Sequence, residues 1–106
     1  MAETLVPPHD CQTMSDVRAG VDALDVALVR LLARRFAYMD AAARIKPTRD
    51  KVRDEGRKAE VIANAAALAG ELGIPAAVIA EIWEQLVEAS IAYEMEAWDR
   101  GRSDAA

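Results

Sequence analysis

Apolar residues stand at Val17, Val21, Leu24, Leu28, Leu31, Tyr38, Ala42 and Ile45, at spacings of 4, 3, 4, 3, 7, 4 and 3. That is the heptad seam of one long α-helix with a single position missing, and the missing position is Arg35. A second stripe, Val29, Leu32, Phe36, Met39 and Ala43, widens the apolar face. After Gly20 no Gly or Pro interrupts the pattern until Pro47, whose ring and missing N–H end a helix. Ser15 suits an N-cap, with Asp16 in the first turn. The spacing predicts a helix over residues 15–46, 32 residues in all. Such a helix spans ~48 Å. A compact domain of this size has a radius of gyration near ~13 Å, a diameter of roughly 35 Å. Two shorter helices cannot cover an apolar face that long, so its far half is expected to lie against a second copy in an intertwined homodimer. The other solution is a solitary bundle with the helix kinked near Gly20.

After a hinge at 47–53, Asp54 can cap a second helix with apolar positions at Val61, Ile62, Ala65, Ala66 and Leu68, closed by Gly70 or Gly73. A third is predicted from near Pro75, a residue tolerated in a first helical turn. It runs through Ile79, Trp83, Leu86, Ser90, Tyr93 and Ala97 to Gly101. Period-2 alternation and two-residue hairpin signals are absent, so strands are not expected. The fold class is all-α, with three helices per chain. Residues 1–14 read as an N-terminal extension, 15–101 as the helical domain and 102–106 as a frayed tail.

Composition narrows the functional classes. At 106 residues and 53% hydrophobic, the chain has material for one core and is not wholly disordered. No uncharged apolar run approaches the ~18 residues of a membrane span. The first residues lack the basic and then apolar pattern of a secretory signal, and the cytoplasm is the expected compartment. Cys11 is the single cysteine, so zinc spacings and an internal disulfide are out. A net charge of −5 argues against nucleic acid or an anionic membrane as partner. Residues 44–58 nevertheless hold seven Lys or Arg against three Asp or Glu, so this +4 segment leaves −9 on the remainder. A local positive field in an acidic chain suits a small anion; the plainer reading is a solvated basic loop.

Arg35 interrupts the seam, and a buried guanidinium needs a counter-charge or a ligand. Lys46 follows 11 residues later, about 20° away around the helix and about 16.5 Å along it. Two long cations on one face can grip a small dianion between them. Arg18 lies about 25 Å before Arg35 and ~100° round the helix, out of reach of the same ligand but able to serve the equivalent pocket of a dimer mate. Ser90 and Glu94 form an i, i+4 pair on the third helix, bounded by Trp83, Val87 and Trp98. Glu94 either keeps its proton and donates from apolar surroundings, or ion-pairs with Arg35 or Lys46 and stabilises the bundle. His9 and Cys11 lack a partner constellation, Asp22 and Asp25 read as solvated charges, and Met14, Met39 and Met95 as core fillers. No phosphate loop, Ser/His/Asp set or metal motif is present.

Arg18, Arg35 and Lys46, separated by 17 and 11 residues on one helix, together with Val52-Arg53-Asp54, Arg57, Ser90 and Glu94, resemble the all-helical chorismate mutases. The likeness runs from Asp16 to Trp98. The stretches DCQTMSDVR and YMDAAARIK also resemble isochorismate-pyruvate lyase, a sister enzyme on the same fold. The resemblance implies an interlocked homodimer, no cofactor, and a dicarboxylate substrate held by cations of both chains. It places Arg18 of the neighbouring chain on one substrate carboxylate and Arg35 on the other. Lys46 and Glu94 would flank the ether oxygen, Arg57 would lie near the carboxylates, and Asp54 and Ser90 near the hydroxyl or ring carboxylate. Lys58 stands where mutases often carry a Glu that contacts the substrate hydroxyl. The implied reaction is the rearrangement of chorismate to prephenate. The alternatives are lyase action on isochorismate, giving salicylate and pyruvate, and a non-catalytic dimerisation module in which Arg35 sets register.

Overall fold

The computed structural model describes residues 5–103. A 3₁₀ turn at Pro8–Asp10 precedes α1 (Met14–Ile45), and a second at Arg49–Lys51 precedes α2 (Glu55–Glu71) and α3 (Ala76–Ser103). Among the described residues there is no strand, so the chain is all-α with a long first helix. None of these helices is long and apolar enough to cross a membrane. The chain divides into two units, the first ending at Arg35 and the second starting at Phe36.

In the first unit α1 is capped two residues earlier than Ser15. The Thr13 hydroxyl accepts from the Asp16 amide at 3.1 Å, while Asp16 Oδ2 accepts from the amides of Thr13 (3.3 Å) and Gln12 (3.1 Å). This reciprocal box needs an acidic residue three positions after the cap, which Thr13 has and Ser15 lacks. Helix α1 is 32 residues long and unbroken at Gly20. Its seam is open: Leu24 is 63% exposed, and Leu28 and Leu31 56% each. Met14, expected as a core filler, is 59% exposed at the first position of the helix. Leu5, Val6, Pro8 and Cys11 line an apolar concavity with Val17 and Val21.

In the second unit α2 packs along α3. Asp54 caps α2 as expected, its Oδ1 accepting from the Arg57 amide at 3.0 Å. Helix α2 closes at Gly73, whose φ of +74° is open to glycine without strain. There the Gly73 amide donates to Gly70 O (3.2 Å) and the Ile74 amide to Ala69 O (3.0 Å), a Schellman closure. Val61, Ile62, Ala65 and Ala66 face inward, but Leu68 is exposed and Ala69 is the buried residue instead. Pro75 precedes the first turn of α3 and supplies its carbonyl to the Ile79 amide at 3.1 Å. Helix α3 passes the expected end at Gly101 and continues to Ser103, with Arg102 docked on α1; the rest of the expected frayed tail lies outside the described residues. The last turns of α1 meet α3 through the rings of Phe36 and Tyr93, 4.8 Å between centroids, and through Tyr93 Oη donating to Asp40 at 3.0 Å.

The hinge is tied to α3. Val52 is buried at 3% exposure, Arg49 pairs with Asp99 at 2.8 Å, and Arg53 with Glu88 at 2.8 Å. Lys58 joins Glu88 and Glu84, each at 2.8 Å. Hydrogen bonds from Arg53 and then Lys58 hold the Glu88 carboxyl down to about 2, against 4.5 for a free glutamate. A lowered folded-state value means the stabilisation is complete above pH 4.5 and is lost as pH falls toward about 2. Glu88→Gln is therefore expected to leave stability flatter across that window, as read by urea midpoints between pH 5 and 2.5, and wild type should lose midpoint more steeply.

Candidate active site

Lys46 lies one residue beyond α1, its amide donating to Ala42 O at 2.9 Å. Its ammonium donates to Glu94 Oε2 at 2.6 Å and to Val52 O at 3.4 Å. An ammonium has three N–H groups, so among the described residues one remains for a further acceptor. The Glu94 side chain is 5% exposed and that of Lys46 29%. The carboxylate is therefore a buried wall and the lysine a bridge from it toward solvent. Of the two readings of Glu94, the contact observed is the ion pair with Lys46. Ser90, one turn earlier on α3, is buried and its hydroxyl donates to Leu86 O at 2.7 Å.

Asp54 caps α2 and Arg57 lies in its first turn. Asp54 has one carboxylate oxygen engaged in the cap, so a change there alters the start of α2. Arg57 is exposed and donates to Glu60 on the same helix, an exposed pairing of small strength that another anion can displace. Lys58 is drawn to α3 by Glu84 and Glu88, which hold its ammonium above the ordinary lysine range. The hydroxyl-contacting Glu of the resemblance is thus replaced by a cation with a structural occupation. Arg18 and Arg35 belong to the first unit, where Arg18 is exposed and Arg35 half-buried. His9 lies 3.7 Å from Asp10, and the Cys11 thiol donates to Val6 O at 3.8 Å.

Two residues around Lys46 were not anticipated. Trp98 Nε1 donates to Lys46 O at 3.1 Å, and Arg102 donates to the carbonyls of Ala43 (2.7 Å) and Lys46 (2.6 Å). Trp98 read as an apolar boundary and Arg102 as tail. The available signal was Pro47, which cannot donate to the carbonyl of Ala43 and so calls for a donor from elsewhere.

These parts define an all-helical protein with a buried carboxylate under a partly open lysine at the end of its long helix. Among the described residues no group of His, Cys, Asp and Glu comes together that could hold a metal. Residues 17–95 match the family described as Chorismate mutase type II, and the chain belongs to that family. It is also similar to isochorismate pyruvate lyase of Pseudomonas aeruginosa, 30% identical over 98 residues that cover 92% of this chain and 97% of the relative. Family membership implies an enzyme acting on a chorismate-type substrate.

Proposed function

We propose that the protein is a chorismate mutase, converting chorismate to prephenate in an active site completed by a second copy of the chain. The observation that carries this reading is the Lys46–Glu94 pair, which leaves an ammonium N–H for an acceptor beside a buried carboxylate. The reaction is a unimolecular rearrangement: the ether C–O bond breaks as a C–C bond forms, and no nucleophile, cofactor or metal takes part. The protein has to hold the substrate in its reactive chair and stabilise charge growing on the ether oxygen. Lys46 supplies the donor to that oxygen. Glu94 holds the ammonium in place and excludes water from its far side. Arg35 and Arg18 of the partner subunit bind the two carboxylates, Arg57 adds positive charge, and Asp54 and Ser90 lie toward the hydroxyl or ring carboxylate.

The second copy is supported by the exposed seam of α1. Leu24, Leu28 and Leu31 are more than half exposed, and no large side chain among the described residues is fully buried. A contiguous apolar surface of this kind marks an interface in a folded protein. Pairing two copies buries the seam and brings in the second arginine by the same step.

A second reading is favoured by the similarity to isochorismate pyruvate lyase along almost the whole chain. In that reaction the same C–O bond breaks while a ring hydrogen passes to the enolpyruvyl CH₂, giving salicylate and pyruvate, and the same cations serve it. The pure protein should be incubated with chorismate and with isochorismate and kcat/KM compared. The mutase reading expects prephenate from chorismate as the faster reaction. Faster salicylate release from isochorismate makes the chain a lyase, and turnover of neither leaves the dimerisation module.

A further inference from the structure

Helix α1 ends with a chemical defect. The carbonyl of Ala43 would ordinarily receive the N–H of residue 47, and Pro47 has none. Ala43 is 2% exposed, which leaves little room for water to serve instead. The donor comes from the end of α3, where one arm of the Arg102 guanidinium reaches Ala43 O at 2.7 Å and the other reaches Lys46 O at 2.6 Å. Trp98 adds its indole N–H to the same Lys46 oxygen at 3.1 Å. One turn apart on α3, Trp98 and Arg102 stack, with the guanidinium carbon 4.3 Å from the ring centre. A cation at this point also meets the negative end of the α1 dipole.

We infer that Arg102, seated on Trp98, is a positioning residue that sets Lys46 for catalysis by clamping its backbone; the inference rests on the proposed role of Lys46. The clamp fixes the lysine at its carbonyl, and Glu94 and Val52 fix it at its ammonium. A donor held at both ends needs no rearrangement as charge develops on the ether oxygen. Without Arg102 the last turn of α1 loses its only donor to Ala43 O among the described residues, and the Lys46 carbonyl keeps the Trp98 indole alone of its two side-chain donors, which loosens the lysine backbone. A displacement of about 1 Å in a reacting geometry costs on the order of 100-fold in rate.

The test uses the full chain and whichever substrate it turns over faster. Arg102→Ala, Arg102→Lys and Trp98→Phe are made alone, and Arg102→Ala also together with Lys46→Ala. Arg102→Ala should lower kcat by roughly 10- to 100-fold with KM within about twofold, because the contact acts on the transition state and not on substrate binding. Arg102→Lys should recover part of the loss, since one ammonium cannot span both carbonyls as the guanidinium fork does. Trp98→Phe keeps the ring under Arg102 and loses the N–H, and kcat should fall by about threefold or more. In the Lys46→Ala background Arg102→Ala should cost less than about threefold further, as expected when one residue acts through another. Circular dichroism and melting establish folding, and if Arg102→Ala does not fold, Arg102→Lys and Trp98→Phe carry the test. Wild-type kcat in folded Arg102 variants overturns the inference, and so does an equal loss with and without Lys46. Full turnover by Lys46→Ala alone overturns the reading of Lys46 as donor, a result visible without any change at Arg102.

Discussion

Lys46→Ala is expected to lower kcat/KM by about two to three orders of magnitude, some 3 to 4 kcal/mol of barrier. The size follows from the proposed place of Lys46 beside the ether oxygen. The ether oxygen of a chorismate-type substrate gains negative charge only as its bond breaks, so a donor aimed there favours the transition state over the bound substrate. The loss should therefore appear mainly in kcat. The variant also strips Glu94 of its cation, and breaking a fully buried pair costs about 3–5 kcal/mol of stability. Lys46 keeps 29% of its side chain in solvent, which reduces that cost here. Melting curves separate the two effects, because a folded variant with lost turnover reports chemistry. Glu94→Gln should retain the fold, since the amide still presents an oxygen to Lys46. A folded Lys46→Ala enzyme with wild-type kcat would remove the lysine from the reaction.

The parts of the fold legible in the sequence are those set by local rules. Heptad spacing and Pro47 define α1 to within a residue, and the i, i+3 relation of Asp54 to Arg57 is a cap wherever the chain goes next. The Ser90 and Glu94 positions read as an inward face of α3, and both are buried. What escaped depends on which residue meets which across the fold. Thr13 and Ser15 are both good caps, and only the return bond from Asp16 selects Thr13. Glu94 had two candidate cations, and its observed contact with Lys46 depends on how the end of α1 sits on α3, which Tyr93–Asp40 helps to set. Lys58 looked like a departure at a binding position; its occupation became visible only when Glu84 and Glu88 came alongside. Arg102 was hidden by Gly101, which usually ends a helix but here lies within α3.

The second large effect concerns assembly. Arg18→Ala should abolish most turnover although Arg18 stands far along α1 from Lys46, because the proposal gives each Lys46 an arginine from the other chain. Both Arg18→Ala and Lys46→Ala should still pair through the apolar seam, which neither substitution touches. Sedimentation should accordingly show dimers for both at working concentration. Each homodimer lacks one required cation at both of its sites. In a mixed dimer, one site regains both cations and the other loses both.

Mixing the two inactive variants in equal amounts, letting their subunits exchange and assaying the mixture is therefore the most direct test of a site shared between chains. Random exchange makes half of the dimers mixed, each with one intact site, so activity should return to about a quarter of wild type. If the subunits are shown to exchange and the mixture remains as inactive as its components, Arg18 and Lys46 act within a single chain and the shared site is wrong.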